Sequence, residues 1–242
     1  MKRGTLYGIG VGPGDPDLIT VKGAEILRRC EHVFVPKARR EGGSVALGIA
    51  EKHINPEAMI HEIVFPMTTD KVELEARWEE SASAVAEVLD SGSDACFLTL
   101  GDTFLYSTYI YLLRALRRRI PDVEVVTIPG VTAFSAAASV AGFPVGEAKE
   151  PVTIIPTADD LDEVRRALTG GGTVILMKIG KRLQRILELL DSLNALDRGV
   201  FISRAGMEGE RVVTNLRELQ GEQEDRGYLS IMLIRGKGEK IS

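Results

Sequence analysis

The chain has 242 residues, of which 44% are hydrophobic and 27% charged, and its net charge is −5. These values are typical of a folded protein with one large or two smaller domains. They give no overall attraction to nucleic acid or to an anionic membrane. The apolar part of the opening MKRGTLYGIG is too short for a signal peptide or a membrane-spanning helix. We therefore expect a cytoplasmic protein.

Cysteine and histidine are sparse. Cys30 and Cys96 lie far apart in the sequence, each among apolar residues. They predict neither a disulfide framework nor a metal-ligand cluster, and they favour a reducing compartment. The three histidines, His32, His53 and His61, are scattered over different predicted elements. We interpret them as structural or surface residues and expect no metal site in the protein.

Strand-like and helix-like segments alternate in the first half of the chain. The predicted strands are TLYGIGV, HVFVP, MIHEIVFP and DACFLTL. The predicted helices are ITVKGAEILRRC, VALGIAEKH, VELEARWEESASAVAEVLDSG and YIYLLRALRRRI. We expect Gly92 to end the third helix in a left-handed conformation and Pro121 to stop the fourth. Such alternation is typical of an α/β fold with a mostly parallel sheet covered on both faces.

The pattern restarts after RRRIPD with a strand, VEVVTIP, and a helix of small residues, VTAFSAAASVAGFP. Further strands are predicted at VTIIPT, TVILMKIG, GVFISRAG, RVVTNL and YLSIMLIRG, and further helices at LDEVRRALTG and RLQRILELLDSL. More strands per helix predict a mixed sheet here. We place the domain boundary at residues 119–123, which gives two α/β domains, 1–120 and 121–242, with the expected ligand site where they meet.

A glycine-rich loop, YGIGVGPGDPDLIT, follows the first strand. A dinucleotide-binding loop needs a third glycine, where this chain has Asp15, and an acidic residue ending the next strand, which instead ends FVPK. The missing glycine and the missing acidic residue disfavour a nicotinamide-dependent dehydrogenase, and Pro13 removes an amide that a phosphate-binding loop would use. Two interpretations remain: a strained turn with Asp17 or Thr20 as the helix N-cap, or a loop whose backbone closely approaches a ligand.

The stretch LGDTFLYSTY, residues 100–109, follows the fourth strand. A tight turn does not require so many hydroxyl and aromatic side chains, so we interpret the stretch as ligand-binding. It is expected at the carboxyl edge of the parallel sheet, together with GPGDPD and PKARREGGS, and ligands bind at that edge. Lys37, Arg39 and Arg40 of the last loop are either solvated charges or a basic clamp for substrate carboxylates.

Three motifs, by their order and spacing, resemble the tetrapyrrole methylase family along essentially the whole chain: GIGVGPGDPDLIT, LGDTFLYST and IPGVTAFSAAASVAGFP. The resemblance implies two α/β domains with S-adenosylmethionine in the cleft between them, and a homodimer. GDTFLYSTYIYLL is similar to family members that methylate C20 of precorrin-2 or of its cobalt-containing counterpart. Other ring methylases tend to have Gly-Asp-Pro and then a glycine-containing turn, and Thr103 replaces that proline here. Whether the substrate holds cobalt stays open.

The resemblance also implies which residues contact the cofactor. They lie in the glycine loop, in the loop after the fourth strand, at the start of the small-residue helix and at strand ends of the second domain. They are Pro13, Leu100, Gly101, Asp102, Thr103, Tyr106, Ser107, Thr132, Ala133, Met177, Ala205, Leu229, Ser230 and Ile231. Met177 is equally well interpreted as a core residue.

Methyl transfer from a sulfonium to an enamine-like carbon depends on positioning and on exclusion of water, rather than on a metal or a protein nucleophile. The methylated carbon must then lose a proton. Asp102 is the candidate acceptor, although an Asp after Gly often bonds only local amides. Lys178 and Tyr228 are further candidate catalytic residues, which would form hydrogen bonds to the ring or to one of its carboxylates. Arg204 and Arg211 are alternative carboxylate partners.

Three alternatives to a C20-methylating enzyme remain. A related methylase acting at another ring position is disfavoured by the Tyr-Ser-Thr run. A diphthamide-forming methylase, whose substrate is a protein, lacks support because no protein-docking feature stands out. The third alternative is a binding module that kept its cofactor site but lost turnover. It would bind S-adenosylhomocysteine but would transfer no methyl group, and an assay would show this difference.

Overall fold

The protein is described by a computed structural model that covers residues 2–37, 43–64, 70–222 and 229–237. The chain divides into two compact units, Met1–Thr132 and Ala133–Ser242. The sequence places the boundary earlier, at residues 119–123, but the strand that follows those residues pairs within the first sheet. The first unit therefore extends to Thr132.

The first unit is built on a parallel sheet of five strands. They are β1 (Leu6–Gly10), β2 (His32–Lys37), β3 (Met59–Val64), β4 (Ala95–Thr99) and β5 (Val125–Ile128). Their order is β3-β2-β4-β1-β5, and every pairing is parallel. Every residue of the central β4 is buried, as expected of a strand covered on both faces. The predicted α/β architecture with a parallel sheet is confirmed.

Among the described residues, the α-helices that accompany this sheet are α1 (Val21–Leu27), α2 (Val45–Ala50), α3 (Lys71–Asp90) and α4 (Tyr109–Arg119). Thr20 caps α1, because its hydroxyl accepts a hydrogen bond from the Gly23 amide at 3.1 Å. Gly92 follows α3 with φ of +92°, which confirms the predicted left-handed end. Residues of α3 and α4 pack with Phe34 and Phe97 of the sheet in one hydrophobic core.

The second unit has a mixed sheet of five strands, as predicted. They are β6 (Val152–Ile155), β7 (Thr173–Met177), β8 (Gly199–Ser203), β9 (Arg211–Val213) and β10 (Ser230–Arg235), in the order β6-β7-β10-β8-β9. Strands β6 and β7 are parallel, and the other pairs are antiparallel.

Three helices cover the two faces of this second sheet: α5 (Ala133–Ala141), α6 (Leu161–Thr169) and α7 (Leu183–Ser192). Side chains of β7 alternate between two cores, as the period of a strand requires. Leu176 packs with residues of α6 and α7, whereas Ile175 packs with residues of α5. Met177 lies partly buried against the same α5 core.

The two cysteines are free and buried, and the fold brings them together. The neighbouring Cys96 thiol is the main cause that lowers the pKa of Cys30, and the Cys30 thiol together with burial raises the pKa of Cys96. The Cys30 thiol itself donates to the His32 carbonyl, with Sγ and oxygen 3.3 Å apart. The histidines also make contacts inside the fold: His32 Nδ1 and His61 Nε2 are 3.0 Å apart, and His53 Nε2 lies 3.0 Å from a backbone carbonyl oxygen. In the described part of the chain, we find no cluster of three or more potential metal ligands and no helix able to span a membrane.

Candidate active site

The glycine loop after β1 is hydrogen-bonded to the loop after β4. The Val11 amide donates to the Thr99 carbonyl at 3.0 Å. Gly12 and Gly101 then form an antiparallel bridge, with N···O distances of 3.2 and 2.8 Å. The two motifs singled out in the sequence are therefore parts of one structure at the carboxyl edge of the first sheet.

Three glycines let the loops after β1, β4 and β5 meet backbone to backbone. A Cβ atom on Gly10 would lie 2.6 Å from the Gly130 nitrogen and 2.7 Å from the Gly101 oxygen. A Cβ on Gly130 would in turn meet the backbone of Gly101 and Gly10. Backbone cannot move aside as a flexible side chain can, so these positions require glycine. The space beside Gly10 is taken by neighbouring protein backbone.

Asp102 ties the loop after β4 to the loop after β5. Its Oδ1 atom accepts a hydrogen bond from the Phe104 amide at 2.9 Å, and its Oδ2 atom accepts one from the Gly130 amide at 3.1 Å. The carboxylate thus fixes the shape of its own turn and the position of the PGVTA segment. This arrangement favours the interpretation of Asp102 as a residue that organises the loops over its interpretation as a proton acceptor.

The hydroxyl groups of this loop differ in their surroundings. Ser107 Oγ lies 2.8 Å from Thr99 Oγ1 and accepts a hydrogen bond from the Tyr109 amide at 3.0 Å, so it holds the start of α4. Thr103 is only 1% exposed. Tyr106, by contrast, is 43% exposed and has φ of +53°. Among the three, Tyr106 is the one with an exposed side chain at the carboxyl edge of the sheet.

Tyr109 belongs to the LGDTFLYSTY stretch but is not among the residues predicted to contact a ligand, and it is fully buried beneath this edge. Its hydroxyl lies 2.8 Å from Thr127 Oγ1 on β5, and burial raises the pKa of the phenol. A Cβ on Gly8 would lie 2.5 Å from the Tyr109 Oη. The sequence signal was therefore Gly8, an otherwise unexplained glycine in the middle of a strand.

The candidate substrate-binding residues after β2 are only partly described. Lys37 ends β2, and its Nζ donates to Glu62 Oε2 of β3 at 2.8 Å. Arg39 and Arg40 lie outside the described residues, as does Tyr228. The role of Lys37 as a carboxylate clamp stays a prediction. A substrate carboxylate that binds Lys37 would have to share its ammonium group with Glu62.

In the second unit, the predicted cofactor residues come together at one edge of the sheet. Antiparallel pairing places Ile231 opposite Met177 and Ser230 opposite Ser203. The Arg204 amide donates to the Leu229 carbonyl at 2.9 Å. Ala205, Ser230 and Ile231 are buried there, and Met177 and Leu229 are partly buried.

This edge of the second sheet holds three residues in the left-handed backbone region. Lys178, Arg204 and Leu229 have φ of +50°, +55° and +54°. For residues other than glycine this conformation is uncommon and carries strain, and such strain clusters at functional sites. The three residues directly flank β7, β8 and β10, so the strain coincides with the predicted cofactor contacts.

The two arginines considered for substrate carboxylates are engaged within the fold. Arg204 Nε donates to the Glu208 carbonyl at 2.8 Å. Arg211 makes two hydrogen bonds of 2.8 Å to the carboxylate of Glu222. Such a bidentate pair uses the donor fork of Arg211 that a substrate carboxylate would need. Arg204 remains a candidate, since it is exposed at the edge of the sheet.

The remaining predicted cofactor contacts are placed as follows. Pro13 is buried in the glycine loop, and Leu100 is half-buried directly after β4. Thr132 is half-buried at the end of the first unit. Ala133 begins α5 and packs against the core that contains Ile175. A role of these residues in cofactor binding stays a prediction.

The amino-acid sequence of both units matches a known family. A model of the tetrapyrrole (corrin/porphyrin) methylases matches residues 5–220. The chain belongs to this family. The tetrapyrrole methylase fold accounts for the order of elements in each unit, and the matched region contains all three motifs of the sequence analysis.

Individual relatives agree with this family assignment. The chain is 34% identical over 238 residues to the cobalt-precorrin-2 C(20)-methyltransferase of Salmonella typhimurium, and the match covers 98% of each chain. It is 31% identical over 242 residues to the precorrin-2 C(20)-methyltransferase of a Sinorhizobium species, covering 96% of each. Among solved structures, the cobalt precorrin-4 methyltransferase CbiF is similar, with a TM-score of 0.70 and 22% identity over 96% of this chain and 94% of CbiF. That likeness supports the fold.

Proposed function

We propose that this tetrapyrrole methylase transfers the methyl group of S-adenosylmethionine to C20 of precorrin-2 or of its cobalt complex, in cobalamin biosynthesis. The observation that carries the proposal is the likeness, over 96–98% of both chains, to two C20-methyltransferases, one acting on precorrin-2 and one on cobalt-precorrin-2. Following the family resemblance, the enzyme works as a cytoplasmic homodimer. Any cobalt belongs to the substrate.

The described residues fit S-adenosylmethionine. An adenine ring needs apolar walls together with backbone hydrogen-bonding groups, and the edge of the second sheet offers both. Ala205, Ile231 and Met177 are the proposed apolar walls, and the left-handed residues Arg204 and Leu229 change the direction of the backbone where β8 ends and β10 begins. In the first unit, Leu100 and Tyr106 are the proposed neighbours of the methionine part.

When bound, the cofactor supplies an electrophilic methyl group on a sulfonium. The protein positions the reactants and excludes water, which suits an in-line displacement by an electron-rich carbon. Asp102 contributes by fixing the loops after β4 and β5 through two backbone amides. Lys178, exposed at the end of β7, is the proposed partner of a substrate carboxylate.

A related methylase acting at another ring position is the main alternative. The sequence GDTFLYST argues for methylation at C20. In the structure, Thr103 and Ser107 of this stretch occupy the following positions within the loop. Thr103, which stands where other ring methylases tend to have proline, is buried in the turn. Ser107 links Thr99 to the first turn of α4. These residues set the shape of the loop and hence the proposed position of the tetrapyrrole.

The experiment that tests the proposal is an anaerobic assay with S-adenosylmethionine and, separately, precorrin-2 and its cobalt complex. Mass spectrometry of the tetrapyrrole should show the gain of one methyl group from at least one of the two substrates. The preferred substrate assigns the enzyme to the metal-free or the cobalt-containing route. Binding of S-adenosylhomocysteine without methylation of either tetrapyrrole would contradict the proposal and favour a related substrate or a binding module.

A further inference from the structure

The loop after β4 carries a large apolar side chain that the proposed cofactor contacts leave unexplained. Phe104 is 56% exposed, although it follows directly on the buried Thr103. We propose that Phe104 is a specificity residue for the tetrapyrrole, with its ring packing against the apolar macrocycle of the substrate. This inference rests on the proposed function and names a contact of that same site.

The exposed position of Phe104 is held in place from two sides. Its amide donates to Asp102 Oδ1 at 2.9 Å, which fixes the backbone of the turn. Its ring lies 5.7 Å from the Tyr109 ring, centroid to centroid, at an interplanar angle of 49°. Tilted aromatic pairs at this distance are attractive. One side of the Phe104 ring therefore contacts protein, and much of the rest faces solvent.

Tyr109 is itself a rigid support. It is fully buried, its hydroxyl lies 2.8 Å from Thr127 Oγ1, and its ring occupies the space that a side chain on Gly8 would need. Tyr109 therefore packs against Gly8 of β1, contacts Thr127 of β5 and holds the Phe104 ring from below. A preorganised aromatic side chain loses little conformational entropy when a ligand binds to it.

The location of Phe104 indicates which ligand it contacts. It lies in a loop at the carboxyl edge of a parallel sheet, the usual place for ligands in such folds. A tetrapyrrole offers a broad apolar ring system with carboxylates on its periphery, and stacking on an aromatic side chain suits such a ring. The methionine part of the cofactor is narrow and offers no flat ring system that could stack on a phenyl ring.

The test compares Phe104→Ala with Tyr111→Ala as a matched control. Tyr111 is an aromatic residue of similar exposure, 50%, but it lies on α4 and stacks on Trp78 of α3. In steady-state assays with precorrin-2 or its cobalt complex, Phe104→Ala should raise the KM for the tetrapyrrole about tenfold. The KM for S-adenosylmethionine and the affinity for S-adenosylhomocysteine should stay within about twofold. Tyr111→Ala should leave all three values unchanged.

A second variant, Phe104→Leu, guards against an effect of misfolding, because it keeps the apolar bulk but removes the aromatic ring. Its KM for the tetrapyrrole should lie between those of the wild type and Phe104→Ala, with an unchanged thermal unfolding midpoint. The proposal is overturned if both variants have the wild-type KM for the tetrapyrrole, or if they raise only the KM for the cofactor. Wild-type enzyme that methylates neither tetrapyrrole refutes the proposed function instead, which separates the two failures.

Discussion

The carboxylate of Asp102 accepts a hydrogen bond from the Gly130 amide at 3.1 Å. This contact joins the loop after β4 to the loop after β5, and the other carboxylate oxygen is bonded to the amide of Phe104. Two sequence motifs that are distant along the chain are thus fixed to each other by one side chain. The relationship supports a positioning role for Asp102, and its role as a proton acceptor stays a prediction.

Replacing Asp102 by alanine leaves two amides without their acceptor, so the free energy of unfolding should fall by about 2 kcal/mol. Asn keeps one oxygen that can accept a hydrogen bond, and Asp102→Asn should therefore lose about half as much stability. Urea unfolding measures both effects. If Asp102 positions the loops, Asp102→Asn should retain measurable turnover with the pH profile of the wild type.

An acid–base role for Asp102 would give a different pattern. Both variants would then lose turnover almost completely, by a factor of about 10³ or more, while their affinity for S-adenosylhomocysteine stayed intact. That result would contradict the positioning role.

Gly130→Ala tests the close approach of the three loops. The added Cβ would meet the backbone of Gly10 at 2.7 Å, so we expect a loss of about 2–3 kcal/mol in the free energy of unfolding. Gly48→Ala is the control, because Gly48 is exposed in α2 and a Cβ there meets nothing within 4 Å. This control should be neutral or stabilising by up to about 1 kcal/mol. Equal stabilities of the two variants would argue against the described loop packing.

The Tyr109–Thr127 contact can be measured by a double-mutant cycle. Tyr109→Phe and Thr127→Val each remove one partner of the 2.8 Å hydrogen bond, and each should cost about 1 kcal/mol of unfolding free energy. Since both changes remove the same interaction, the double variant should cost less than the sum of the single ones. Strict additivity would show that the two hydroxyls do not interact.

His61 should make stability depend on pH. Burial, with a further contribution from the charge of nearby His32, lowers the pKa of His61. In the unfolded chain its pKa is about 6.5, so below that pH the unfolded state binds more protons than the folded state. This contribution to stability is therefore present above about pH 6.5 and is lost as the pH falls toward the lowered folded-state value.

His61→Phe removes the titrating group and keeps a ring to stack on Phe34, from which the His61 ring is 4.4 Å. Urea unfolding at several pH values should show that the variant loses less stability than the wild type between neutral and mildly acidic pH. Parallel pH curves for the two proteins would assign the acid sensitivity to other groups.

Lys178 combines an exposed charge with φ of +50°, and two substitutions separate these properties. Lys178→Gly should still fold, because glycine adopts this conformation without strain. It should still raise the KM for the tetrapyrrole if the ammonium group binds a substrate carboxylate. Lys178→Arg keeps the charge and should preserve much of the substrate affinity. An unchanged KM in Lys178→Gly would remove Lys178 from the substrate site.

The sequence predicted the strands and helices well, because their apolar periodicity and caps are local properties of the chain. Thr20 caps α1 and Gly92 ends α3 as expected, and the two sheets have the predicted parallel and mixed character. Local patterns do not reveal contacts between distant segments. The approach of Gly10 to Gly130 and the pairing of Cys30 with Cys96 depend on strand order, which periodicity does not determine.

The sequence predicted where the candidate site lies, but it did not predict most of the hydrogen bonds within that site. The loops after β1 and β4 do lie together, but nothing in the sequence showed that Asp102 would bond two amides or that Arg211 would bond Glu222. Tyr109 was overlooked because its role depends on Gly8, a residue on another strand. Such pairings are tertiary contacts. In the sequence, the only sign of them is a small or polar residue at the position concerned.

The most direct test of the central claim is the position of the transferred methyl group. S-adenosylmethionine carrying a ¹³C-labelled methyl group would be incubated anaerobically with the enzyme and precorrin-2 or its cobalt complex, and the product would be analysed by NMR. We expect a single labelled methyl group attached to C20. A label at any other ring carbon would contradict the C20 assignment, while still agreeing with membership of the tetrapyrrole methylases.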